Sequence, residues 1–277
     1  MNSMNSDAWK GFLGRKWAAS WAMTDRTFGG LTERMEQLCE AAPMTRMLDA
    51  GCGAGEFAIR LAARHPGLQA IGVDISEELI EEARSRAAGV ADVGFICDDV
   101  ARFRPDDGAL FDLIVARHVV MFFDDPQAVL GHLASLTEGG GRLIFSCFRS
   151  NEENGWIADI LALLPERFQV RLRAGQPGPL AFADRQWVEH LLARSGWTQA
   201  VFEPFDYGMA VGAGSDPLDD AVSYLLNIGP ASFAAAEFDA QERSEFVQRL
   251  RTLLSGYLVG DRVLLPAATW LVSAVAK

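Results

Sequence analysis

From about residue 46 onward, short continuous apolar runs alternate with longer stretches in which apolar residues recur every three or four positions. This is the pattern of buried parallel strands joined by crossover helices. The runs at 46–48, 68–74, 93–97, 110–116, 142–148, 197–202 and 269–276 predict seven strands. Phe57, Ile59, Leu61, Ala62 and Ala63 line the face of a first helix, and Ser76 before Glu77 and Glu78 caps a second that reaches about residue 88. Asp125-Pro126 opens a helix over 127–136 by capping, which is a simpler role for the Asp124-Asp125 pair than metal binding; no metal site is expected. Asp184 caps a further helix that Gly196 stops. The expected fold class is therefore α/β, a seven-stranded, mostly parallel sheet with helices on both faces.

Three stretches stand outside this alternation. Residues 1–45 carry Trp9, Phe12, Trp17, Trp21 and Phe28, then Leu31, Met35 and Leu38 at helical spacing, and predict two or three helices ahead of the core at 46–277. Residues 152–180 read as an insertion, a helix with Trp156, Ile157, Ile160 and Leu161 followed by the loop Gly175-Gln176-Pro177-Gly178-Pro179. Residues 217–260 hold two helical patterns before the last strand, so they read as an inserted cap.

Composition narrows the partners. The 277 residues are 49% hydrophobic and 22% charged, the balance of a globular chain with one sizeable core. A net charge of −12 argues against a nucleic-acid backbone as partner and favours a small molecule. Cys39, Cys52, Cys97 and Cys147 have no metal-ligand spacing and fit a reduced, cytoplasmic protein, and no apolar run has the length of a membrane span. A monomer or homodimer is expected.

The chemistry gathers where the first strand turns into the first helix, at Asp49-Ala50-Gly51-Cys52-Gly53-Ala54-Gly55. Glycines at such a turn let a ligand lie on the backbone, within reach of the amides at the helix start. A dinucleotide fingerprint would put its third glycine at position 56, where Glu56 stands, and the Gly-Lys-Ser/Thr ending of a triphosphate loop is absent. Asp49 would repel a pyrophosphate but suits a cofactor carrying an ammonium and a sulfonium. Asp74, at the end of the second strand and about 20 residues on, has the placement of a ribose-binding acid.

These residues resemble the first motif, Asp/Glu-x-Gly-x-Gly-x-Gly, of the Rossmann-like (class I) S-adenosylmethionine-dependent methyltransferases. More narrowly, the chain is similar to bacterial small-molecule methyltransferases marked by an Arg-x-x-Val-Met-Phe-Phe-x-Asp-Pro run, here Arg117 to Pro126, and a late Leu-Pro-Ala-Ala-Thr-Trp-Leu-Val run, here Leu265 to Val272. The resemblance implies S-adenosyl-L-methionine as cofactor. Asp49, Gly51, Cys52, Gly53 and Gly55 would hold its methionyl end, Asp74 and Ile75 the ribose, and Asp99, with Asp98 and Val100 beside it, the adenine. Arg117 would sit at the same edge.

It further implies that residues 1–45 form a lid, and that Trp17, Met121, Phe122, Phe148 and Trp156 face a small, partly apolar acceptor. His118 stands where the group more often has an aromatic residue. A histidine there could act as general base for O- or N-methylation, or simply line the pocket. A noncatalytic cofactor-binding or interaction protein on the same fold stays open as an alternative, as does, with less support, a nicotinamide-dependent oxidoreductase.

Overall fold

The computed structural model describes residues 8–168 and 177–277. Its sheet contains β1 (Arg46–Ala50), β2 (Gln69–Asp74), β3 (Val93–Cys97), β4 (Phe111–Arg117), β5 (Thr137–Phe148), β6 (Trp197–Ala213), β7 (Leu258–Val259) and β8 (Arg262–Ala276). The order is β3-β2-β1-β4-β5-β8-β6, with the two-residue β7 added against β8. β3, β2, β1, β4 and β5 pair in parallel, whereas β8 runs antiparallel between β5 and β6. The expected seven strands are thus present, and β7 makes an eighth.

Right-handed crossovers fix the layers. α3 (Glu56–Arg64) and α4 (Glu77–Arg86) carry the chain one way along the sheet, and α5 (Pro126–Ser135) carries it the other way, so the two sets cover opposite faces. The expected caps form: the Ser76 hydroxyl accepts from the Leu79 amide, Asp125 from Ala128, and Asp184 from Gln186 and Trp187. The strand order reverses between β1 and β4, the place where open α/β sheets leave a crevice at their carboxyl edge.

Residues ahead of the sheet form an irregular helical turn (Trp9–Leu13), α1 (Gly14–Ala19) and the long α2 (Trp21–Glu40). Thr24, Phe28, Leu31 and Met35 of α2 are buried at helical spacing, and the helix lies along β6. Arg26 Nε donates to the Ala210 carbonyl at 3.0 Å, and buried Glu36 accepts from Arg60 of α3 at 2.6 Å. At the helix end, the Arg142 guanidinium of β5 donates to the carbonyls of Leu38 and Cys39, groups a helix terminus leaves without partners.

Two strands outrun the sequence pattern. β6 continues past the predicted 202 to Ala213, and β8 begins at Arg262 instead of 269. Beyond Phe148 the two strands continue as a ribbon, paired from Asp206↔Ala268 to Ala213↔Arg262, with β7 added against Val263 and Arg262 of β8. Pro204 and Gly208 interrupt the apolar alternation, yet both lie on the edge strand β6, where a missing donor is tolerated. α6 (Gly155–Ala162) and α7 (Arg185–Arg194) follow β5; α8 (Pro217–Asn227), the short α9 (Ser232–Ala235) and α10 (Ala240–Ser255) lie between β6 and β8. α8 packs on β6 and β8, and the cap is continuous with the core. Of the expected 175–179 loop, Gly175 and Gln176 lie outside the described residues.

Candidate functional site

Two cavities meet at the carboxyl edge of the sheet. The first lies over the turn from β1 to α3, and the three glycines there answer three different demands. Gly51 has φ +69°, and a Cβ on it would stand 2.4 Å from Val119 Cγ2, so its bareness lets β1 and the end of β4 close together. Gly53 has φ +55°, and a Cβ there would enter open space in the cavity. Gly55 has φ +79° and its missing Cβ makes room for Phe95 and Ala83, at 2.7 and 2.9 Å. Gly55 therefore serves strand–helix packing and, unlike Gly51 and Gly53, does not line the cavity.

Carboxylates dominate the wall. Asp49, Asp74 and Asp99 line this cavity together with Cys52, Ile75 and Val100, and Asp25 joins them from α2. Asp49 is 2% exposed, and its Oδ2 has no hydrogen-bond partner among the described residues. Burial first, and the charge of Asp74 among its neighbours, push the Asp49 carboxyl up to about 7 against the opposing pull of Arg117. Asp74 accepts from the Gly53 amide at 2.9 Å and the Ser76 amide at 3.0 Å, which ties the glycine turn to the start of α4. Burial raises its carboxyl too, while those amides oppose the shift. Asp98 turns away: it does not line the cavity, and its carboxylate accepts from the Asp99 amide at 2.7 Å and pairs with Arg102. Of the two adjacent acids, Asp99 is the one brought to the site.

Arg117 lines the same cavity from the end of β4, with its guanidinium bound to Glu56 and Thr32. Its charge is therefore largely met by Glu56. The next residue, His118, has φ +52°, a strained conformation for a non-glycine residue, and stands between the two cavities. Its ring lies 4.4 Å from Phe148 in a stacked arrangement and 5.1 Å from Phe28, and neither ring nitrogen has a hydrogen-bond partner among the described residues. Burial, and then Arg117, hold the imidazole down at about 3, so it is neutral through the physiological range.

The second cavity is almost wholly apolar. Met121, Phe148 and Trp156 line it, and Trp17 and Phe122 line both cavities, so every residue expected near an acceptor is brought together here. The double hydrogen bond between the Asn154 side chain and the backbone of Ala268, 2.9 Å each way, pins the loop after β5 and sets Trp156 beside Phe148. Met209 and Val211 of the ribbon and Tyr224, Leu225 and Ile228 of the cap close the far side. The sequence reading did not single out Met209 and Val211, which only the overlong β6 brings in.

Residues ahead of the sheet roof both cavities. Trp9 meets Trp17 at 5.4 Å and Phe122 at 5.6 Å, both edge-on. Gly14 sits so close to the turn after β2 that a Cβ would fall 2.2 Å from Ser76 Oγ. Arg86 of α4 donates to the Ala54 carbonyl at 2.7 Å, binds Asp25 and stacks on Trp21, and so links the roof to the glycine turn.

Residues 42–175 match a family model described as a methyltransferase domain. Over 102 residues the chain is 31% identical to malonyl-[acyl-carrier protein] O-methyltransferase 1 of Ilyobacter polytropus, a span of 37% of each protein. Over 106 residues it is 34% identical to the ubiquinone biosynthesis O-methyltransferase of Coxiella burnetii, 38% of this chain and 44% of that one. The match thus spans less than half the length of these curated relatives. The fold is similar to magnesium protoporphyrin IX methyltransferase from Synechocystis PCC 6803, at TM-score 0.55 and 17% identity, covering 98% of this chain and 97% of that one. A phosphoethanolamine N-methyltransferase of Haemonchus contortus gives TM-score 0.55 at 19% identity, covering all of this chain and 60% of that one.

Proposed function

We propose that this chain, whose residues 42–175 match a methyltransferase domain, binds S-adenosyl-L-methionine in the first cavity as a class I methyltransferase and methylates a small, partly apolar acceptor in the second. The observation that carries this reading is the charge of the first cavity. Asp25, Asp49, Asp74 and Asp99 line a bare glycine turn, and Arg117, the one lining guanidinium among the described residues, is already bound to Glu56. A pyrophosphate would meet net repulsion there, which disfavours a nicotinamide dinucleotide; a cation would be drawn in.

The residues fit the group. The unpartnered, buried Oδ2 of Asp49 is an acceptor whose isolation costs about 1–3 kcal/mol until a donor reaches it. The open space at Gly53 admits a ligand against the backbone. Asp49 with Gly51, Cys52 and Gly53 would hold the methionyl end, Asp74 and Ile75 the ribose, Asp99 and Val100 the adenine. When bound, the cofactor supplies an electrophilic methyl group.

The protein's own contribution to the transfer is positioning and exclusion of water. Trp17 and Phe122, shared by both cavities, hold the boundary between cofactor and acceptor, and the Trp9 roof covers it. His118 stands at the same boundary as a neutral imidazole. Its bare nitrogen can take the proton of an attacking hydroxyl or amine in O- or N-methylation, but burial and Arg117 leave it a weak base, so alignment carries most of the transfer. An acceptor that arrives already nucleophilic needs only the alignment.

The deciding experiment is thermal unfolding of the purified protein with S-adenosylmethionine, S-adenosylhomocysteine or NAD. A ligand at about 100 times its dissociation constant adds about 2.7 kcal/mol, which raises the midpoint by several degrees for a chain of this size. A rise with both sulfur ligands and none with NAD is expected. A rise with NAD alone would overturn the reading.

A further inference from the structure

We propose that Asp25, delivered by α2 from outside the 42–175 domain match, is a direct contact for the cationic ammonium at the amino-acid end of the cofactor. The inference rests on reading the first cavity as an S-adenosylmethionine site. Its ground is an arrangement that the glycine turn does not explain. Asp25 lines the cavity, faces the charges of Glu56 and Arg117, and is absent from the wall of the second cavity. Arg86 donates both to the Ala54 carbonyl and to the Asp25 carboxylate, so Asp25 stands beside the glycine turn where the chain leaves β1.

Asp25 already has a cationic partner in Arg86, yet that pairing does not leave it a settled anion. Burial first, and Glu56 second, push its carboxyl up to about 6 despite the nearby guanidinium groups of Arg86 and Arg117. Arg86 is divided among three tasks, donating to the Ala54 carbonyl, lying over the Trp21 ring and binding Asp25. A second cation entering the cavity would complete the neutralisation of a carboxylate that Arg86 only partly compensates. Because Asp25 sits on the roof helix, the same contact would join the roof to the bound cofactor.

The test separates ligand contact from simple docking of the roof. S-adenosylhomocysteine carries the amino-acid end and 5′-methylthioadenosine lacks it, so their dissociation constants are measured by calorimetry for wild type, Asp25→Asn and Asp25→Glu. Asp25→Asn should weaken S-adenosylhomocysteine about tenfold, the scale of one charged hydrogen bond, and leave methylthioadenosine within twofold. Asp25→Glu should restore most of the lost affinity. Equal weakening of both ligands would overturn the inference, since Asp25 would then act only through the roof, and so would no weakening of either. A wild-type protein that binds neither ligand would instead remove the cofactor reading itself, an outcome the thermal experiment detects separately.

Discussion

At the scale of single residues, the glycine turn shows that one motif can serve unrelated needs. Gly51→Ala would drive a methyl group into Val119 at 2.4 Å in a left-handed backbone, a clash between β1 and the end of β4. Gly53→Ala pays only the cost of the left-handed conformation, about 1 kcal/mol, but puts its methyl into the cavity. The expected outcomes therefore separate. Gly51→Ala lowers the unfolding midpoint of the free protein by several degrees, whereas Gly53→Ala unfolds within about 3 °C of wild type and loses at least tenfold in affinity for S-adenosylhomocysteine. Paired melting curves and titrations check this, and similar losses of stability in both variants would refute the division.

At the scale of elements, the roof depends on one close approach, that of α1 to the turn before α4. Gly14 stands against Ser76, whose hydroxyl also caps α4, and Arg15 pairs with Glu78 at 3.6 Å just beyond. Gly14→Val should lift α1 off this turn, so that limited trypsin digestion cuts at Arg15 or Lys16 faster than in wild type while the sheet resists. Unchanged cleavage would mean that the roof is held by its tryptophans alone.

The same elements mark what the sequence revealed and what it concealed. Asp49, Gly51, Gly53, Asp74 and Asp99 were legible as cavity-lining residues because each sits at or just beyond the end of a strand, where local pattern fixes the element and its carboxyl edge; Gly55, expected beside them, serves packing instead. Trp17, Met121, Phe122, Phe148 and Trp156 were legible as an aromatic set, though their meeting depends on Asn154 clamping to Ala268. Asp25 was not, since a polar residue on a helix reads as solvated until the helix is docked. Met209 and Val211 were hidden behind Pro204 and Gly208, which broke the strand pattern that carries them to the second cavity.

At the scale of the whole molecule, the buried acids tie cofactor affinity to pH. In the free protein Asp49 is held near 7 and Asp25 near 6, above the ordinary aspartate value in both cases. A raised folded-state value means the folded chain binds more protons than the unfolded chain between about pH 4 and 7, so this contribution to stability is present at low pH and lost as pH rises through that window. His118 runs the other way: held near 3, it contributes stability above the histidine value of about 6.5 that is lost as pH falls. A cofactor ammonium favours the ionised acids, and so its binding must expel their protons. Asp74, Asp99, Arg117 and His118 line the same cavity, with Glu56 bound to Arg117 and Arg86 bound to Asp25 behind them. The dissociation constant of S-adenosylhomocysteine should therefore fall by roughly tenfold from pH 5.5 to 7.5 and level off above. Calorimetry in two buffers of different ionisation enthalpy should register proton release in the same range. The difference between free and liganded midpoints should widen with pH over the same range and then level off. A difference that stays flat would show that the carboxylates are already ionised before the cofactor arrives, and that the anionic cavity is built by charge fixed in advance.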